Sequence, residues 1–310
     1  MAIEIISGTY LSFKIAKKLV QFIKKYKKNR ILQNDLENEK LDLVVINLSG
    51  FPLSRLAVDT IMKWGRCKIV KKEIISIDLK DPIDYMDNII NFCTKAIKDL
   101  IKKDKIINQL LIGKYVVILP GMNSIAMTFI TMFHGITGHF PLISFSYQSD
   151  LVYNLVEPYN FQTLRTEYRK SEKIPPENNN FILINISGKF LSEEAKNEIM
   201  NWGDCQIVEK SIPTIDLNNP DTYMDNIVNF CDMTIKDLLH NENLVSNLLL
   251  GKYAIIPPGM PSIAMTFLAM LHGITGHFPY MSFFYKKNMV FRVTKPFDFH
   301  DLRVQFREIS

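Results

Sequence analysis

The chain has 310 residues, 47% of them apolar, and a net charge of +5. That length suits two ordinary domains with real cores and excludes a disordered chain. The charge excess is small and crowded between Lys14 and Arg30, which reads as a solvated helix face, so long nucleic acid is not an expected partner.

Residues 1–40 contain "EIISGTYLSFKIAKKLVQFIK". Its Ser-Gly, its Leu-Ser and its helix-period stripe match the strand-helix starts found twice later, so a truncated third repeat and an unrelated strand-helix extension fit it equally. From Leu43, "LVVINLSG" predicts a buried strand, and "PLSRLAVDTIMKWG" a helix that starts near Ser54 and stops at Gly65. "KIVKKEIISIDL" predicts a second strand; Asp81 and Pro82 then open a long helix whose continuation ends at Gly113. "KYVVILP" is almost wholly apolar and predicts the central strand of a parallel sheet. "NSIAMTFITMFHG" predicts a third helix, "FPLISFSY" a fourth strand and "LVYNLVEP" a fifth.

After a Pro- and Asn-rich linker at 171–180, every step recurs. Asn47 matches Asn185, Trp64 matches Trp202, Gly121 matches Gly259, His139 matches His277 and Arg165 matches Arg303, each pair 138 residues apart. The alternation predicts an α/β protein: two tandem Rossmann-like domains, 42–170 and 181–310, forming a pseudo-two-fold fused dimer. No basic leader precedes a cleavage site and no apolar run reaches the roughly 18 residues of a membrane span, so the expected location is cytoplasmic, with no membrane partner.

In an open parallel sheet, ligands bind beyond the carboxyl ends of the strands. That edge collects Asn47, Ser49 and Gly50 with Asn185, Ser187 and Gly188, and Gly121, Met122, Asn123 and Ser124 with Gly259, Met260 and Ser262. A strand running through Pro-Gly into a helix lets backbone amides approach an anion, with Ser124 placed to cap the helix or donate to a phosphate. The plainer reading is a turn glycine and a capping serine. No G-x-G-x-x-G, P-loop or G-x-S-x-G is present.

Other candidates are secondary. His134 and His139, like His272 and His277, stand five residues apart, a poor spacing for two ligands on one helix face, and lie at the opposite end of the sheet. His134 falls in a last helical turn, where an imidazolium complements the dipole. Asp78 and Asp216 follow the second strand near the ligand edge or simply open the next turn. Arg165 and Arg303 either reach a phosphate or brace the other repeat. The four cysteines read as two buried free thiols per repeat, and neither a metal nor a cofactor is expected.

The N-x-S-G strand end, "LPGMNSIA" and "HGITGHFP" resemble the small Csx-type ring-nuclease group that accompanies type III CRISPR systems, with its CARF-like Rossmann fold. The resemblance covers both repeats and omits residues 1–40. It implies a cyclic oligoadenylate, best taken as cyclic tetra-adenylate, held in a cleft between the repeats. It also implies metal-independent ring cleavage by a ribose 2′-hydroxyl, with Ser49, Ser187, Ser124 and Ser262 as catalytic candidates and the amides of Gly121, Met122, Gly259 and Met260 as anion donors. A non-catalytic sponge or sensor and a generic nucleotide- or protein-binding module are the alternatives, and further self-association is compatible with each. Asn123 aligns with Pro261, so the two repeats are not identical.

Overall fold

A computed structural model of the chain describes residues 43–72, 77, 84–102, 106–149, 152–169, 181–212, 215–217, 219–287 and 290–307. The extension at 1–40 and the linker at 171–180 lie outside these residues. The first half runs β1 (Leu43–Asn47), α1 (Arg55–Lys63), β2 (Cys67–Lys71), α2 (Tyr85–Lys102), α3 (Ile107–Leu111), β3 (Tyr115–Ile118) and α4 (Asn123–Thr137). It continues with β4 (Leu142–Ser144), β5 (Ser146–Ser149), β6 (Val152–Leu155), β7 (Tyr159–Asn160) and α5 (Phe161–Glu167). The second half repeats the series as β8 (Phe181–Asn185), α6 (Glu193–Met200), β9 (Cys205–Glu209), α7 (Tyr223–His240), α8 (Glu242–Leu249), β10 (Tyr253–Ile256) and α9 (Pro261–Thr275). It closes with β11 (Tyr280–Met281), β12 (Phe284–Lys287), β13 (Val290–Val293), β14 (Phe297–Asp298) and α10 (Phe299–Arg307).

The first sheet has the order β2-β1-β3-β4-β7 and the second the same order, β9-β8-β10-β11-β14. All pairings are parallel except those of the edge strands β7 and β14. The expected tandem Rossmann-like architecture is therefore present, with β3 and β10 central. Both are buried along their whole length, as strands covered by helices on both faces must be.

Two elements depart from the sequence expectation. "FPLISFSY" is not one strand: β4 stops at Ser144, and β5 leaves the sheet to pair antiparallel with β6. "LVYNLVEP" is thus an arm of a hairpin, and the fifth sheet strand is β7. The Ser144 hydroxyl donates to the Val156 carbonyl at 2.6 Å and pins the exit; Ser282 does the same to Thr294 at 2.5 Å.

The halves are joined by an exchange of helices. α5 packs on α9 of the second half, and α10 packs on α4 of the first. Both contacts require glycine. A Cβ on Gly135 would lie 2.6 Å from the Arg303 carbonyl oxygen and 2.6 Å from the Phe306 Cβ; one on Gly273 would lie 2.5 Å from the Arg165 carbonyl oxygen. α4 and α9 are apolar nearly all round because each is enclosed by both halves, and one continuous core runs through the two.

Replacing Gly135 or Gly273 by Ala should force this crossing apart and cost about 1–3 kcal/mol, in the range of overpacked cores. Gly121→Ala meets no heavy atom within 4 Å and should leave stability unchanged. Urea unfolding midpoints of the three variants check the contrast.

Candidate functional site

The strand-one corner is built by an asparagine. Asn47 Oδ1 accepts from the Ser49 amide at 3.0 Å and the Ser49 hydroxyl at 2.7 Å, while Nδ2 donates to the Phe51 carbonyl at 2.9 Å. Asn185 repeats this with Ser187 at 3.1 and 2.6 Å and with the Lys189 carbonyl at 2.8 Å. The N-x-S-G pattern is thus an Asx-type turn, and Gly50 and Gly188 take the left-handed φ of 81° and 76° that it needs. In the second half only, Glu209 Oε1 also accepts from Asn185 Nδ2 and the Leu191 amide, tightening the loop.

At the strand-three corner, α4 and α9 start at Met122 and Met260, whose side chains make no capping bond. The expected cap does not form: Ser124 lies inside the first turn, 2% exposed, with its hydroxyl 3.0 Å from the Tyr85 hydroxyl. Ser262 pairs with Tyr223 at 2.9 Å in the same way. Burial pushes both tyrosines above the usual phenol range. Each tyrosine also meets an aromatic ring of the other half, Tyr85 with Phe283 and Tyr223 with Phe145, both at 6.3 Å between centroids. Sequence reasoning missed these tyrosines, although their 138-residue spacing is the same signal that selected the serines.

The two strand-three corners meet. A cleft of about 490 Å³ is lined by Tyr85, Gly121, Met122, Asn123 and Ser124 from the first half. Ser187, Lys189, Pro257, Gly259, Phe283 and Phe284 line it from the second. Asn123 Nδ2 donates across it to the Pro258 carbonyl. The Gly121 and Gly259 corners therefore border one shared hollow.

Not every candidate reaches that hollow. Ser49 lines a separate crevice of about 20 Å³ beside the β5–β6 hairpin, and Asn47, Gly50, Asn185, Gly188, Met260 and Ser262 line neither. Asp216 borders a different cleft of about 500 Å³ next to the Lys210–Asp237 ion pair. Asp78 lies outside the described residues. Cys93 and Cys231 are buried free thiols, whereas Cys67 and Cys205 are only half-buried. Among the described residues no cluster of His, Cys, Asp or Glu could hold a metal ion, and no helix is long and apolar enough to cross a membrane.

The histidines and arginines lie at the far end of α4 and α9. His139 and His277 fold over Gly113 and Gly251, and His277 Nε2 lies 3.0 Å from the Leu249 carbonyl. His134 and His272 meet across the pseudo-two-fold axis, 5.1 Å between ring centroids and each 1% exposed. Arg303 Nε donates to His134 Nδ1 at 3.1 Å, so that arginine braces the other half. His134 is consequently not an imidazolium serving the helix dipole. Burial, then the neighbouring His272 and Arg303, holds its pKa down to about 2; burial, then Arg165 and Arg303, does the same for His272.

No protein-family model matches the chain, and no curated protein does. Among solved structures it is similar to the Cap4 SAVED/CARF-domain receptor of Acinetobacter baumannii with the cyclic trinucleotide 3′3′3′-cAAA, at 13% identity and a TM-score of 0.37, over 87% of this chain and 55% of that one. The same receptor with 2′3′3′-cAAA gives 10% identity and a TM-score of 0.37, over 83% and 52%. A ketoreductase domain from the bacillaene assembly line gives 8% identity and a TM-score of 0.21, over 76% of each chain. The chain spans about half the length of the receptor structures it matches.

The buried imidazoles predict an acid-sensitive fold. Below the ordinary histidine value of 6.5 the unfolded chain binds protons that native His134 and His272 refuse, so stability is full above pH 6.5 and falls as pH drops from there toward 2. Each such histidine adds up to about 1.4 kcal/mol per pH unit to the slope. Denaturant titrations between pH 7.5 and 5 should show the decline, and His272→Phe should lower the slope by about one proton.

Proposed function

We propose that this protein binds a cyclic oligoadenylate in the cleft between its halves and holds the ring without cutting it. The observation that carries the reading is the shared hollow itself: the uncapped start of α4 and two glycine corners, Gly121 and Gly259, one from each half, open onto one cleft. Uncapped first-turn amides and a helix dipole favour phosphates, and glycine corners let a flat, bulky ring come close. A volume of about 490 Å³ lies within the range of ligand clefts, ~300–1,000 Å³.

Retention is favoured over cleavage by the chemistry of the lining. Attack by a ribose 2′-hydroxyl needs a group to take its proton, and the described lining contains no carboxylate or imidazole. The Ser124 hydroxyl is engaged by Tyr85, and the Ser187 hydroxyl by Asn185. These serines shape the cleft rather than act as nucleophiles or bases.

Incubation of the protein in EDTA with radiolabelled cyclic tri-, tetra- and hexa-adenylate tests the reading. A ring recovered intact with the protein is the expected result. Linear product would replace retention with cleavage, and failure of all three rings to bind would end the reading.

A further inference from the structure

The two halves match at many positions but not at all, and two of their differences bear on the cleft. The observed cleft consists of the second half's sheet edge covered by the start of α4 from the first. The mirror arrangement would set the first half's sheet edge under the start of α9. At the positions where the observed cleft has Asn123 and Lys189, the mirror has Pro261 and Phe51. Both polar side chains thus border the observed cleft, while Phe284, which also lines it, corresponds to Ser146 in the mirror.

Each of the four has a distinct setting. Lys189 lines the cleft with its ammonium 4.3 Å from the centroid of the Phe291 ring, and among the described residues it has no carboxylate partner. Its counterpart Phe51 is stacked on Tyr153, 5.8 Å between centroids and 8° from parallel, and lies outside the cleft. Asn123 is 9% exposed and lines the cleft; its Nδ2 is used by the Pro258 carbonyl, while Oδ1 has no partner. Pro261, in the first turn of α9, has no side-chain acceptor to offer.

We propose that the cleft is a one-sided site, in which Lys189 takes a single phosphate and Asn123 Oδ1 accepts from the exocyclic amine of an adenine, while the mirror position of Phe51 and Pro261 binds neither. This rests on the nucleotide reading given above and deepens it. A buried acceptor without a donor is costly, and an adenine amine supplies the missing partner. The ammonium supplies a charge that a neutral ring stack cannot. A site of this kind imposes no two-fold symmetry on its ligand, so a ring with an odd number of units is held as well as one with an even number.

The test compares dissociation constants for labelled cyclic tri- and tetra-adenylate and for linear 5′-phosphorylated diadenylate. Lys189→Met and Asn123→Ala should each weaken binding at least tenfold, whereas Phe51→Leu and Pro261→Ala should change it less than threefold. Lys189→Met should also reduce the slope of log affinity on log salt by about 0.7, the signature of one lost phosphate contact. Asn123→Ala should weaken adenylate binding while leaving the inosinate analogue, which lacks the amine, unchanged; a merely structural role would affect both. Thermal melting of each variant separates loss of folding from loss of binding.

Equal losses from the two sides, or no effect of Lys189→Met on affinity and salt slope, would overturn the one-sided site while leaving ring binding intact. Lys189-dependent binding of the linear dinucleotide alone would do the reverse. If no probe binds, both fall.

Discussion

The crossing of exchanged helices at Gly135 and Gly273 is the constraint on which the rest of the molecule depends. Backbone carbonyls of α10 and α5 approach α4 and α9 to distances no side chain would permit. That proximity brings His134 against His272 and seats Arg303 on His134, closing the axis at one end. A polar cluster so deeply buried is costly unless its members are neutral or paired, which is why the imidazoles stay uncharged.

α4 and α9 carry this constraint to the other end of the molecule. Each begins at a Pro-Gly corner and ends at the crossing, so fixing the ends at the axis also fixes how the two starts face each other. The Ser124–Tyr85 and Ser262–Tyr223 bonds and the aromatic contacts of each tyrosine with the opposite half hold the starts in place. The "HGITGHFP" motif therefore serves assembly and the "PGMNS" motif the cleft. One helix links the two.

Much of the architecture was legible in the sequence because strand and helix periods are local. The apolar run at Tyr115–Ile118 identified the central strand, and the ungapped repeat identified the pseudo-dimer. What escaped was non-local. Nothing in the spacing of Arg303 says that its partner is His134, 169 residues away in the other half. Ser124 had the sequence position of a helix cap, yet a tyrosine 39 residues earlier claims its hydroxyl. The split of β4 from β5 depends on Ser144 finding the Val156 carbonyl, which periodicity cannot register. The mismatch of Asn123 with Pro261 was visible in the alignment, but that Asn123 borders the same cleft as Lys189 was not.

The exchange of terminal helices has a topological consequence. Severing the backbone between residues 169 and 181 would release nothing, since each fragment would still clasp the other's last helix. The two would part only by unwrapping both arms and baring the oily flanks of α4 and α9 to water. The covalent link is thus a matter of supply, delivering both pieces in equal number, while cohesion resides in the embrace.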